Sequence, residues 1–311
     1  MKSVIASYSK MPKFDLRQLR AFLCLADELH FGKAAERLFT SQPALSRTIQ
    51  ALEEAVDVPL LERSTRKVKL TAAGEAFVAE ARQAYRHLEH AASSARDAAE
   101  GKLGRLRIGY MDFAMNGRLP ALLNRFRAKY PRDILELEYI PSARQRSALQ
   151  EGRLDVGFLI GEFQSPKVTN VLIEQNNYVA LLPETHPLVN ASEVRLTDLA
   201  EEHFVLGCEE SFSTFRRLFL PLCHASGFFP NVVQQVSSTS GILGMVAAGV
   251  GVSVYAGCAL NLQRLGVCVK PLVDVRDTIP TFAAWSSDNQ LEVVQRFQEF
   301  LIQNAQLDSI G

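Results

Sequence analysis

Apolar residues recur at steps of three and four through Leu16, Leu19, Phe22, Leu23 and Ala26, which places them on one side of a helix. A second short helix is predicted over residues 32–38. Thr40 and Ser41 then offer an N-cap, and Pro43 falls in the first turn, where its missing N–H leaves nothing unsatisfied. A third helix therefore opens there and runs to about Ala55. Three helices with a short turn between the last two have helix-turn-helix geometry. From Pro59 the period changes: Leu60 and Leu61, a charged tip over residues 62–67, then alternation in Val68-Lys69-Leu70, which predicts a short β-hairpin. Thr71 caps the next element, and residues 75–100 contain neither Pro nor Gly. Along them Phe77, Ala81, Ala84, Leu88, Ala91 and Ala95 alternate steps of four and three, a heptad seam of mostly small residues. A long exposed helix with such a seam predicts self-association.

Gly101 and Gly104 punctuate the chain, and beyond them the pattern alternates. Strands are predicted over 105–110, 134–140 and 154–159, with helices over 119–129 and 143–151. Similar units follow over 178–272, and the chain closes with a strand over 281–285 and a helix over 291–304. Strands separated by single helices predict parallel sheets with right-handed crossovers. The fold class is α/β, with an N-terminal all-α winged helix-turn-helix. Domain limits are 1–70 for the winged head, 71–103 for the linker helix and 104–311 for the α/β body.

Of 311 residues, 47% are hydrophobic and 22% charged, as in ordinary globular proteins. The first 105 residues carry 17 Lys and Arg against 13 Asp and Glu, and the remaining 206 carry 17 against 21. A mildly basic head on a mildly acidic body suits a nucleic-acid partner. The five cysteines, Cys24, Cys208, Cys223, Cys258 and Cys268, form no C-x-x-C pair and sit near no histidine cluster, so neither a disulfide framework nor a metal site is expected. Glycines interrupt the uncharged stretch from Val236 to Gln263, and residues 1–14 lack the apolar core of a signal peptide; the expected location is the cytoplasm, with no membrane partner.

The most specific signal is an ordered series. It comprises Ala34-Ala35-Glu36-Arg37-Leu38, Ser41-Gln42-Pro43-Ala44-Leu45-Ser46, Ile49-Gln50-Ala51-Leu52-Glu53, Pro59-Leu60-Leu61-Glu62-Arg63 and Leu70-Thr71-Ala72-Ala73-Gly74. It resembles the LysR-type transcriptional regulators. Looser agreement continues in Glu151-Gly152-Arg153-Leu154-Asp155-Val156-Gly157, in Leu182-Pro183 with His186-Pro187-Leu188, and in Val246-Ala247-Ala248-Gly249-Val250-Gly251-Val252. The resemblance implies a linker helix that pairs antiparallel, a tetramer, and a periplasmic-binding-protein-like effector domain of two lobes, about 104–179 with 278–311 and about 180–277. It also implies promoter DNA as partner, a small effector in the cleft, and RNA polymerase as a further contact.

On the third helix Leu45, Ile49, Leu52 and Val56 make the buried stripe, which leaves Gln42, Ser46, Arg47 and Gln50 on or beside the opposite face. Gln bonds adenine bidentately, Arg guanine, and Ser either. Thr40, Ser41 and Pro43 lie at the positive helix end, where Thr40 and Ser41 suit a phosphate. The wing offers Arg63, Arg66 and Lys67, of which Arg63 matches the family's wing arginine and is the candidate for the narrow minor groove. A surface helix carrying Gln, Ser and Arg is by itself usually a solvated face; the ordered motifs and the basic wing turn the reading toward duplex DNA.

Ligands in open parallel sheets bind beyond the carboxyl ends of strands. That rule selects Met111, Asp112, Phe113, Ser142, Ser211, Phe212, Ser238 and Thr239. Ser142 and Ser238 open helices, so they either hold a carboxylate or serve only as caps. In family members that sense small organic acids these two loops face the ligand, which favours Ser142 and Thr239. Asp112 and the Glu209-Glu210 pair argue the other way, toward a cation, so ligand charge stays open with an organic or aromatic acid preferred. No cofactor and no metal is expected. Cys223 resembles the resolving cysteine of peroxide-sensing members, but the position of its reactive partner is Thr214; Cys208 is the candidate substitute, against the commoner case of buried structural thiols. Catalytic signatures such as G-x-S-x-G and H-E-x-x-H are missing, against an enzyme, and the wing and third helix argue against a solute-binding module without a DNA role.

Overall fold

The computed structural model describes residues 13–63, 68–99 and 104–307, and the chain forms two compact units, Met1–Ala95 and Arg96–Gly311. In the first, α1 (Leu16–Glu28) starts at a reciprocal cap: Gln18 N donates to Asp15 Oδ1 and Asp15 N to Gln18 Oε1, both at 2.8 Å. Helix α2 spans Phe31–Arg37, and α3 (Gln42–Val56) opens on Ser41, whose Oγ accepts from Ala44 N at 3.4 Å. Phe22 and Leu25 of α1, Ala34 and Ala35 of α2, and Leu45, Ile49 and Leu52 of α3 share one core. Each large side chain buried there contributes about 1.5–3 kcal/mol. That burial holds three helices too short to persist alone.

Strands β1 (Leu61–Arg63) and β2 (Val68–Leu70) pair antiparallel with Leu61 opposite Leu70. Glu53, near the end of α3, accepts the Leu60 and Leu61 amides at 2.8 and 3.0 Å, so the helix-turn-helix anchors the root of the hairpin. Helix α4 (Ala72–Ala99) is tied to the same root by Thr71, whose hydroxyl donates to Pro59 O at 2.8 Å and accepts from Gly74 N at 2.9 Å. A Cβ on Gly74 would lie 2.1 Å from Leu60 O, so only glycine lets α4 leave flush against the hairpin. The heptad seam is divided. Phe77 packs edge-on against Phe22 and Phe14 with centroids 5.4 and 5.7 Å apart, and Ala81 is buried. The exposed part begins at Ala84 and continues through Leu88, Ala91 and Ala95.

In the second unit β3 (Gly104–Tyr110) lies between β4 (Asp133–Tyr139) and β5 (Val156–Ile160) and is parallel to both. The crossovers carry α5 (Asp112–Asn116), α6 (Leu119–Lys129) and α7 (Ser142–Gln150). Strands β7 (His203–Gly207) and β8 (Asn231–Val236) are also parallel, with α8 (Glu209–Ala225) between them. Elsewhere the expectation of parallel sheets is corrected. Strand β6 (Val168–Pro183) is antiparallel to β9 (Ser253–Ala256), β10 (Val267–Pro271) and β11 (Thr278–Ser286), and β11 is antiparallel to β5. The cause is connectivity: β6 carries the chain out of the first lobe and β11 brings it back, in opposite directions. The first half of β6 pairs with β11 and its second half with β9 and β10, so one strand serves both lobes. Helix α9 (Thr239–Ala247) follows β8, and α10 (Glu292–Leu307) covers β3 and β6.

The Glu151–Gly157 motif has a packing explanation. Asp155 is 1% exposed and accepts from Arg107 N at 2.8 Å and from its guanidinium at 3.0 and 3.1 Å, clamping β3 to β5. Gly157 leaves room for buried Gln145, whose Nε2 donates to Ile140 O and Phe158 O at 2.7 and 2.9 Å; a Cβ there would stand 2.7 Å from Gln145 Oε1.

Candidate nucleic-acid interface and effector cleft

Burial of Leu45, Ile49 and Leu52 turns Gln42, Pro43, Arg47 and Gln50 outward, all exposed, with Ser46 half-buried beside them. The expected face is therefore polar and accessible over the N-terminal half of α3, the half that enters a major groove in helix-turn-helix proteins. Val56 is only half-buried. Ser41 uses its oxygen as the helix cap and keeps its hydroxyl proton, while Thr40 is half-buried in the turn. Arg63 lies in β1 opposite Val68. Arg66 and Lys67 lie outside the described residues.

In the other unit, the ends of β3, β4 and β5 and the start of α8 converge on a crevice. Met111, Asp112, Phe113, Ser142, Ser211 and Phe212 line it, joined by Tyr139, Ile160, Thr214 and Phe215. Its free volume of about 10 Å³ is room for one water, so an organic ligand enters only as side chains or lobes part. Phe113 stacks on Tyr255 with centroids 4.4 Å apart and tilts against Phe215 at 5.4 Å, which makes the floor aromatic.

The four residues sequence reasoning did not select were within reach of its own rules. Tyr139 and Ile160 end strands, and Thr214 and Phe215 follow Ser211 and Phe212 by one helical turn.

Asp112 crosses to the second lobe. Its Oδ2 accepts from Thr239 N at 3.2 Å and from Thr239 Oγ1 at 2.6 Å, and that hydroxyl also lies 2.5 Å from Tyr255 OH. Tyr139 bonds the same carboxylate; burial and the negative charge of Asp112 push its phenol up to about 12. An internal carboxylate thus fills the N-terminus of α9. Ser238 is exposed and caps that helix by accepting from Gly241 N at 3.1 Å. Ser142 is buried, and its Oγ accepts from Ile160 N at 3.0 Å; Pro141, not Ser142, holds the cap position of α7. Each serine oxygen already accepts a backbone amide, and each keeps its hydroxyl proton for a ligand.

Cys208 sits at the N-terminal cap of α8 and Cys223 near its far end, roughly 20 Å apart at 1.5 Å per residue, whereas a disulfide requires Cα atoms within about 7 Å. Burial pushes the Cys223 thiol up to about 12. At pH 8 roughly one molecule in ten thousand then carries the thiolate. We expect iodoacetamide at pH 8 to leave Cys223 of the folded protein unmodified by mass spectrometry, and rapid alkylation would contradict its buried placement.

Among the described residues no group of three or more His, Cys, Asp and Glu is placed to hold a metal ion, and no helix is long and apolar enough to cross a membrane. A winged helix-turn-helix joined to a two-lobed α/β domain defines the class of ligand-responsive DNA-binding regulators. Residues 16–75 match the description "Bacterial regulatory helix-turn-helix protein, lysR family", and residues 99–306 match "LysR substrate binding domain". The chain belongs to the LysR family: it is a DNA-binding transcriptional regulator with a substrate-binding domain for effector ligands.

It is 34% identical over 283 residues to the HTH-type transcriptional regulator AlsR of Bacillus subtilis (strain 168), covering 91% of this chain and 94% of that protein. It is 38% identical over 250 residues to the uncharacterized HTH-type transcriptional regulator YnfL of Escherichia coli (strain K12), covering 80% and 84%. The crystal structure of CbnR, a LysR family transcriptional regulator, superposes with a TM-score of 0.67 at 26% identity, covering 94% of this chain and 99% of CbnR. Full-length CbnR complexed with its target DNA gives 0.58 at 27% identity, covering 94% and 100%. These relatives are regulators rather than enzymes.

Proposed function

We propose that the regulator reads promoter DNA with Gln42, Ser46, Arg47 and Gln50 in a major groove, while Thr40, Ser41 and the wing residues Arg63, Arg66 and Lys67 hold the backbone. The observation that carries this reading is the exposure of Gln42, Arg47 and Gln50 on a helix whose other side is buried. The test is fluorescence anisotropy with duplexes from the promoter adjoining its gene, titrated with salt. Arg63→Ala is expected to weaken binding and to flatten the slope of log K against log salt by about one. Unchanged affinity and slope would remove Arg63 from the interface.

The crevice between the lobes is read as the effector site, with an organic acid as ligand and no other cofactor. Support comes from the convergence of strand ends and aromatic side chains there. Self-association through α4 accounts for two further features. Ala84, Leu88, Ala91 and Ala95 are exposed, and Phe14, Leu16, Leu19, Ala84 and Leu88 line an open, mostly apolar groove of about 750 Å³ in the head. A dimer through α4, completed to a tetramer, would place two recognition helices on one duplex, with RNA polymerase as a neighbour in the cytoplasm.

A further inference from the structure

The carboxylates around the crevice are already engaged. Asp112 is held by Thr239 and Tyr139, Glu210 lies 2.6 Å from Arg144, and Glu209 lies 3.1 Å from Arg216. Repulsion of an anion by these groups is therefore much reduced. Among the described residues two cations that bond the crevice lining have no such partner. Arg146 of α7 donates to the carbonyls of Ile160 and Glu162 at 3.0 and 2.9 Å and lies over the Phe163 ring at 5.4 Å. Arg217 of α8, in the other lobe, points Nη2 at Thr214 Oγ1 at 3.4 Å. Ile160 and Thr214 both line the crevice, so each guanidinium bonds one residue of that lining, from opposite lobes. Among the described residues neither meets a carboxylate at ion-pair distance. Burial lowers the Arg146 pKa, and the positive charge of Arg217 lowers it further.

We propose that Arg146 and Arg217 clamp the charged group of the effector, one guanidinium from each lobe, and that the effector is a compact organic monoanion whose apolar body lies against Phe113, Phe212 and Phe215. The proposal rests on the reading of the crevice as the effector site and specifies its chemistry. A guanidinium offers five donors in a fork that fits a carboxylate, and Arg146 spends only some of its own on backbone carbonyls. The anion between the arginines replaces repulsion across the lobes by attraction to both, so it favours the arrangement in which they face each other. Asp112, at the inner end, fills the α9 N-terminus and excludes a second carboxylate there.

The test uses the full-length protein in calorimetry and thermal shift with benzoate, terephthalate, benzamide and benzylamine. Benzoate is expected to bind and raise the melting midpoint, with benzamide and benzylamine silent. Arg146→Gln and Arg217→Gln should each weaken benzoate roughly tenfold or more, the scale of one lost charge-assisted hydrogen bond. Arg217 is exposed, so its variant keeps the fold. Terephthalate should gain affinity only in Asp112→Asn. Binding of the amide or amine in preference to the acid, no binding of benzoate at millimolar concentration, or benzoate affinity indifferent to both arginine variants would overturn the proposal. Ser211→Phe, which fills the crevice, separates it from the parent reading. If that variant blocks benzoate while the arginine variants do not, only the clamp fails; if it binds benzoate normally, the crevice is not the effector site.

Discussion

Asp155→Ala is expected to lower the stability of the effector domain by about 3–5 kcal/mol, the loss seen when one partner of a buried ion pair is removed. The carboxylate is 1% exposed and serves three Arg107 donors and the Asn289 amide at 2.8–3.2 Å. Truncation leaves the Arg107 amide and guanidinium without their acceptor and opens the seam between β3 and β5, the strands that aim Met111, Asp112 and Ile160 at the crevice. Against a total stability of about 5–15 kcal/mol, that loss is large. The chain has a single tryptophan, Trp285, buried in β11 of the same unit, so its fluorescence in a urea titration reports this unit directly. The midpoint should fall with little change in slope. Asp155→Asn, which keeps one acceptor oxygen, should fall less. A loss under about 1 kcal/mol for the alanine variant would mean that solvent replaces Asp155 at its donors.

The winged head was legible because each of its elements is short, locally punctuated and differently periodic. Ser41, Pro43 and Thr71 mark helix starts by their own chemistry, and the helical spacing of Leu45, Ile49 and Leu52 names the buried side of α3 without reference to any other residue. Gly74 was visible only as part of a motif. Its physical reason, a carbonyl 2.1 Å from where a Cβ would stand, belongs to a contact with Leu60 that spacing does not reveal. The heptad seam misled for a related reason. Spacing places Phe77 and Ala81 on the same stripe as Ala84 and Leu88, but only the fold decides that the first two meet Phe22 and the head's own core.

In the effector domain, period-two alternation marks a strand but carries no record of its neighbour or direction. Hence β3, β4 and β5 were placed while the antiparallel pairing of β6 and β11 was not. In the first half of β6, Asn170, Glu174, Gln175 and Asn176 flank the apolar run Val171-Leu172-Ile173, so no regular alternation marks the strand. The strand-end rule brought six of the eight selected positions onto one crevice. It did not foresee how they are spent. Asp112 and Thr239 are 127 positions apart, and their hydrogen bond turns a presumed anion site into an occupied one. Likewise the pairing of Glu209 and Glu210 with Arg216 and Arg144 removes the sequence argument for a cationic ligand, and leaves Arg146 and Arg217 as the charges that matter.

Phe22→Ala is expected to unfold the head while leaving the effector domain intact. Phe22 is fully buried and meets Phe77 edge-on at 5.4 Å, joining α1 to α4 as well as to α3. Removing an aromatic ring from a core leaves a cavity and costs about 3–5 kcal/mol. A small unit with limited burial has little more than that to lose. Circular dichroism should therefore show an early helical transition in heat, separate from the Trp285 signal, which stays where it was because Trp285 lies in the other unit. Binding to promoter DNA should fall tenfold or more at the temperature of that transition and recover on cooling. Gln50→Ala supplies the contrast: its side chain is exposed, so it should weaken binding at every temperature with no early transition. If Phe22→Ala lost DNA binding with both transitions unmoved, the α1 core would not be what orients α3, and the face presented by Gln42, Arg47 and Gln50 would need another support.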